Sequence, residues 1–354
     1  MSGEYDTSFW EELDFSEINN ILDKQETVKG IDFQRLAEAL INGEEIDKQW
    51  LFEKIWNVLF QEVIRNKDYM IQIILLAAAF ALLYNFANVF EHAAVTDVSF
   101  YIVYMILLAL LMKSFVTISS ILNETLQGFM DFMRALLPAF CLSMVFSSTT
   151  VTSMGFYQMT LLVIFVIEAV LLYVIVPGIH IYIMLEMLNH LTGEDIISKM
   201  TGLLKGAIQW MLKFLFTTVV GINVVQGLLT PVIDTYKSSL VAKTASAIPG
   251  VGNSVRAVTE IMVGSGMIIK NGVGMAGIVV LLLLCVGPLV KVGIMALFYK
   301  ITAAAIQPVA DKRLTGCISG MGEGAGLFGK VLLTANAMLM VTIAIITAAT
   351  TWNH

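Results

Sequence analysis

The sequence predicts an all-α, polytopic membrane protein, on three observations. Apolar runs of nearly twenty residues recur along the chain, and each is long enough at 1.5 Å per helical residue to cross a hydrocarbon layer of about 30 Å. Hydrophobic residues make up 57% of the chain and charged residues 14%, against roughly 45–50% and about 25% in ordinary soluble domains. Charge is also divided unevenly: residues 1–68 hold 16 of the 28 acids and 7 of the 21 bases, so they carry −9 (7 − 16) of the total of −7 and leave +2 for the rest. The apolar excess needs lipid as its solvent, and the acidic opening needs water.

Two parts follow from this split, an acidic helical segment over 1–66 and a transmembrane domain over 67–354. In the first, Phe15/Ile18/Ile21/Leu22, Phe33/Leu36/Leu40/Ile41 and Trp50/Leu51/Ile55/Leu59/Val63 recur at helical spacing and predict three helices. Asp32 and Asp47 suit the N-caps of the second and third. An acidic, lysine-poor flank belongs on the extracytoplasmic face, although acids weigh little in that rule. The chain opens Met1-Ser2-Gly3-Glu4-Tyr5-Asp6, without the basic and apolar regions of a leader. Either the first span targets the protein, or a leader has been removed.

Spans are expected at 69–90, 98–119, 158–177, 207–229, 272–297 and 331–351. Two further segments are intermediate: 136–155 is rich in Ser and Thr, and 247–270 contains Arg256 and Glu260. They read as crossings inside a bundle or as re-entrant hairpins, which persist only where protein or water covers their backbone, so the total is six to eight spans. Sliding the chain by 111 residues pairs Pro138 with Pro249 and Pro177 with Pro288 (249 − 138 = 288 − 177 = 111). This register predicts an internal two-fold repeat over 98–190 and 207–301, with the four prolines as hinges of Pro-broken or re-entrant helices, a design common in transporters. Lysine placement leaves the topology after residue 135 open.

Glu168 is the most informative single residue, lying midway through Leu161-Leu-Val-Ile-Phe-Val-Ile-Glu168-Ala-Val-Leu-Leu-Tyr173. A carboxylate at that depth costs a few kcal/mol or more, so it should face the bundle interior and meet a polar group of another span. Lys113 and Lys213 are the candidate cations. The functional reading is an ion or proton site, and the structural one is a hydrogen bond between helices. Gly324-Ala-Gly-Leu-Phe-Gly329-Lys330-Val331 imitates a phosphate loop but lacks the hydroxyl that would hold Mg²⁺, and it reads as a flexible joint before the last span. Gly272-Val-Gly274-Met-Ala-Gly277 imitates a dinucleotide fingerprint in a membrane helix, where small residues serve close packing. His180, His190, Cys141, Cys285 and Cys317 show no metal-ligand spacing. No metal, cofactor, nucleic-acid partner or catalytic constellation is expected.

One stretch carries a family likeness: Pro231-Val-Ile-Asp234, Lys243, Ile248-Pro249-Gly-Val-Gly252, Ile269-Lys270-Asn271-Gly-Val-Gly274-Met-Ala-Gly277, Pro288-Leu-Val-Lys291 and Gln307-Pro308-Val-Ala-Asp311-Lys312-Arg313. In these residues the chain resembles the stage III sporulation protein AE family, most strongly over its C-terminal half. The resemblance implies a multi-pass protein of the mother-cell membrane that surrounds the forespore. It also implies partners, namely the other stage III sporulation A proteins and the forespore protein Q, in a channel or secretion-like complex joining the two cells. It implies a mature chain from which a signal peptide has been removed. No catalytic residue comes with it. The expected function is membrane component of that conduit, with room for a homo-oligomer. The alternative is a membrane scaffold that moves no solute.

Overall fold

The computed structural model describes residues 13–25, 28–43, parts of 53–79, and 93–147, 150–192, 197–245, 252–308 and 310–349. All regular structure among them is helical: α1 Ser16–Lys24, α2 Phe33–Ile41, α3 Ala93–Ser147, α4 Thr150–Val170, α5 Val176–Thr192, α6 Ser198–Ala245, α7 Gly252–Ile306 and α8 Lys312–Ala349. A π-helical turn, Leu171–Ile175, joins α4 to α5 into one rod. Its cause lies two residues on from its end. Pro177 has no N–H to donate and its ring crowds the carbonyl four residues back, and a widened turn relieves that conflict. The Val176 N–H accordingly reaches back five residues to the Leu171 carbonyl.

The rods alternate in direction. Leu136 lies against Gly277 and Ser114 against Tyr299, so α3 and α7 are antiparallel. Lys205 meets Glu323 and Asn223 meets Thr342, so α6 and α8 run parallel. α8 packs on α3, α4, α5, α6 and α7. α7 is the most buried of the long helices and α6 the least.

α1 and α2 form a small cap on this bundle. Asp32 caps α2 by accepting from the Arg35 N–H at 3.0 Å, and Asn19 accepts from the Phe33 N–H at 3.0 Å, which ties the two helices together. Phe33 is fully buried, with its ring 5.3 Å from Phe15 and 6.3 Å from Phe132 of α3. Ile41 sits on Gly272 of α7, and Gln25 on Gly128 of α3. Asp47 and most of the third expected helix lie outside the described residues.

Among the described residues, five helices are long and apolar enough to cross a membrane, over Tyr101–Val145, Tyr157–Leu191, Ser198–Leu228, Gly264–Ile306 and Lys312–Ala348. Most of the expected span 69–90 lies outside the described residues. The bounds of the two intermediate segments are corrected: residues 136–147 continue α3 and 150–155 begin α4, and 252–270 are the first turns of the helix that holds 272–297.

The proline register is corrected too. Pro138 and Pro288 lie inside α3 and α7, which continue through them, as membrane helices can when neighbours satisfy the freed carbonyls. The chain passes from α3 to α4 between 147 and 150, which a shift of 111 maps onto 258–261, inside the unbroken α7. The 136–184 and 247–295 units therefore follow different paths, and Pro249 lies outside the described residues. What the blocks 98–190 and 207–301 do share is coarser: each is a pair of antiparallel helices.

Candidate functional site

Two charged clusters lie within the spans, at different heights. In the first, the Glu168 carboxylate on α4 is ion-paired with the Arg134 guanidinium on α3, and Arg134 also lies 3.4 Å from Asp131 one turn earlier. Exposure of the side chains rises outward, from 21% at Glu168 to 45% at Arg134 and 59% at Asp131. The pair solves the problem that Glu168 poses, because a partner cation offsets the loss of water around the carboxylate. The charge-assisted bond also fixes α3 against α4.

Neither expected lysine is that partner. Lys113 lies on α3 twenty-one residues before Arg134, about 30 Å along the helix, and Lys213 is exposed on α6. Arg134 escaped notice because residues 120–135 fell between the expected segments 98–119 and 136–155. The available signal was its place at i+3 from Asp131, the spacing of a helical ion pair.

The second cluster gathers near the opposite end of the bundle. On α5, the His190 ring lies 3.5 Å from Glu186. Glu323 of α8 accepts from Lys205 of α6 at 2.5 Å and from the Tyr182 hydroxyl at 3.2 Å. Glycines make this possible. A Cβ on Gly316 would lie 2.5 Å from the His190 ring, one on Gly320 would lie 2.7 Å from Glu186 Cγ, and one on Gly324 would collide with Ile183. Spaced by four, the three form a groove along α8 into which α5 settles, the close approach that small residues allow in membranes. The flexible joint expected at 324–330 is thereby corrected, since those residues lie inside the continuous α8.

Between the clusters, His180 hydrogen-bonds Ser119 at 2.8 Å, and its ring meets Phe115 and Phe328 edge to face. The family-signature residues serve several places. Asn271 lies on α7; Gly274 adjoins Thr347 and Phe140, and Gly277 adjoins Leu136 and Ile343. Gln307 and Pro308 turn the chain from α7 to α8, where Asp311 accepts from the Arg313 N–H at 2.7 Å. Asp234 lies on α6, with its side chain outside the described set. No group of three or more metal-binding side chains occurs among the described residues. Cys141, Cys285 and Cys317 are free thiols.

The comparisons with known proteins agree with one another. The family model of stage III sporulation protein AE matches residues 31–350. A Bacillus subtilis (strain 168) protein, stage III sporulation protein AE, is 26% identical over 314 residues, covering 87% of this chain and 78% of that protein. No solved structure matches.

Proposed function

Because the chain belongs to the stage III sporulation protein AE family, we propose that it is a membrane component of a multi-protein channel or secretion-like complex joining mother cell and forespore. In this reading it sits in the mother-cell membrane around the forespore and works with the other stage III sporulation A proteins and the forespore protein Q. It performs no catalytic step. The observation that carries the reading beyond family membership is the Arg134–Glu168 pair, a charge couple held between two long membrane helices. Charged groups inside membrane bundles recur on ion and substrate pathways.

The test is Glu168→Gln. Glutamine keeps the volume and a hydrogen-bonding oxygen but removes the negative charge and the titratable proton. The expected result is a folded, membrane-inserted protein still bound to its partners, with a reduced yield of heat-resistant spores. A scaffold is the second reading, favoured by the glycine groove that locks α8 to α5. On that reading Gln is tolerated, whereas Leu, which leaves Arg134 only its longer contact with Asp131, destabilises the protein. Normal spores from both substitutions would remove both roles.

The alternating rods also suggest an orientation. Lys199, Lys205, Lys300, Lys312 and Arg313 cluster near the two turns at one end of the bundle, the end that the positive-inside rule assigns to the cytoplasm. α1 and α2 pack toward the other end and are then extracytoplasmic. In a cysteine-free background produced in vegetative cells, where no second membrane encloses the protein's outer face, Glu17→Cys should react with an impermeant maleimide on intact cells, while Lys312→Cys should react only after permeabilisation. The reverse pattern inverts the topology.

A further inference from the structure

The long helices expose many large apolar side chains, yet one stretch of α3 exposes none. Between Val116 and Pro138 its exposed residues are Thr117, Ser120, Glu124, Gln127, Asp131 and Arg134, every one of them polar. Steps of three and four residues keep them on one side of the helix. They form a stripe about 26 Å long, close to the ~30 Å thickness of hydrocarbon. Thr117 and Ser120 return their hydroxyl protons to carbonyls of their own helix. The carboxylates and the amide carry charge and polarity that lipid solvates poorly.

The same height is apolar elsewhere on the bundle. Arg134 meets Glu168 and Ser119 meets His180, so the rod of α4 and α5 is level with the stripe between those contacts, and there Tyr173 is 78% exposed. Phe328 stacks on Phe115, and Gly277 adjoins both Leu136 and Ile343, so α8 from 328 to 343 is level with the stripe too. α6 follows α8 through Lys205 on Glu323 and Asn223 on Thr342, which brings the exposed Phe214, stacked on Trp210, to that height. Water on all sides would favour polar residues on every face. The apolar faces suit lipid, and the α3 face suits water. α1 supports this division: it packs on α3 beside the stripe, with Gln25 on Gly128, and turns Glu17 and Asp23 to the outside.

We propose that the α3 stripe is one wall of a water-filled cation path through the membrane, and that its facing walls are the same stripe on further copies of this chain. Copies in one membrane share one orientation, so they present Glu124 and Asp131 at matching heights. Like charges resist a dry seam and keep water between the copies, and carboxylates ringed around water favour cations. Arg134 does not cancel them, because Glu168 holds it, and Lys113 lies outside the stripe, about three turns from Glu124. The proposal rests on the conduit reading above and places the conduit's wall on the outside of the bundle.

Substituted-cysteine labelling of the full chain, in opened membranes of sporulating cells, tests it. Ser120→Cys and Gln127→Cys probe the stripe, and Tyr173→Cys and Phe214→Cys probe the apolar faces at the same height, all with Cys141, Cys285 and Cys317 replaced by serine. The reagents are a cationic trimethylammonium methanethiosulfonate and its anionic sulfonate counterpart. Both stripe cysteines should react at least about tenfold faster than the other two, because the reactive thiolate forms in water. Gln127→Cys should react faster with the cation, and Glu124→Gln with Asp131→Asn should remove that preference. A bis-maleimide should join Gln127→Cys chains into dimers and larger products. Stripe cysteines as slow as Phe214→Cys would mean a dry face, and equal rates at all four positions would put this level outside the bilayer; either result overturns the path. Equal or faster attack by the anion overturns the cation assignment, and labelling without cross-linking gives the facing wall to another protein and removes the copies. None of these readouts depends on spore yield, so the conduit reading at Glu168 stands or falls separately.

Discussion

Replacing Gly324 by valine is expected to destabilise the membrane bundle. A Cβ at this position collides with Ile183 on α5. Ile183 is β-branched and buried, so it has one preferred χ1 in a helix and no open side to swing into. The helices must move apart. Overpacking of this kind costs about 1–3 kcal/mol, occasionally more, and here separation also strains the Tyr182–Glu323 contact between the same two helices. Gly326 provides the control, because a Cβ there meets nothing within 4 Å. Gly326→Ala should be neutral or slightly stabilising, by up to about 1 kcal/mol of helix propensity. Thermal unfolding in detergent, followed by the loss of a monodisperse elution peak, separates the two variants. Equal midpoints for Gly324→Val and wild type would show that α5 does not seat on this groove.

Phe33→Ala should release the cap from the bundle. Phe33 is fully buried between Phe15 and Phe132, and truncating a buried phenylalanine costs about 3–5 kcal/mol. The cap is two nine-residue helices, held besides by buried Ile18, Leu22 and Ala37 and by Ile41 on Gly272, and Phe33 is the side chain that joins both helices to α3. Hydrogen exchange should therefore rise across 16–41 while α7 and α8 keep their protection. A double-mutant cycle with Phe132→Ala should show coupling of about 0.5–1.5 kcal/mol from the aromatic pair. Unchanged exchange over α1 and α2 would mean that the cap is held elsewhere.

Much of the architecture was legible in the residues. The expected spans 98–119, 158–177, 207–229, 272–297 and 331–351 lie along the five long rods, the last running two residues past the end of α8, because hydropathy reports how many consecutive residues lipid can accept. Hydropathy says less about where such helices end. Residues 120–135 fell between the expected segments 98–119 and 136–155, whereas α3 runs through them with α1 packed alongside. Glycine was misleading in one place for a physical reason: it weakens helices in water, so 324–330 read as a joint, but in a bundle it permits backbones to approach. The register of 111 residues did not extend to the helix ends, because the turn between α3 and α4 has no counterpart inside α7. The partner of Glu168 was out of reach because it depends on which helices become neighbours, a property of the whole bundle.

The length of the helices sets a mismatch with the bilayer. α3 has fifty-five residues, about 80 Å of helix, against about 30 Å of hydrocarbon. Its exposed apolar side chains include Tyr101 and Ile102 toward one end and Leu142 and Val145 toward the other, some 60 Å apart by the same rise per residue. Tilt of the usual size shortens that span only modestly. One leaflet pair therefore cannot wet both belts at once. Kept alone in lipid, the protein must thicken the membrane around itself or pair its uncovered belt with another copy. Among its partners, that belt becomes a greasy collar that only another protein can cover, so the isolated chain should be far less soluble in short-chain detergent than the assembled complex.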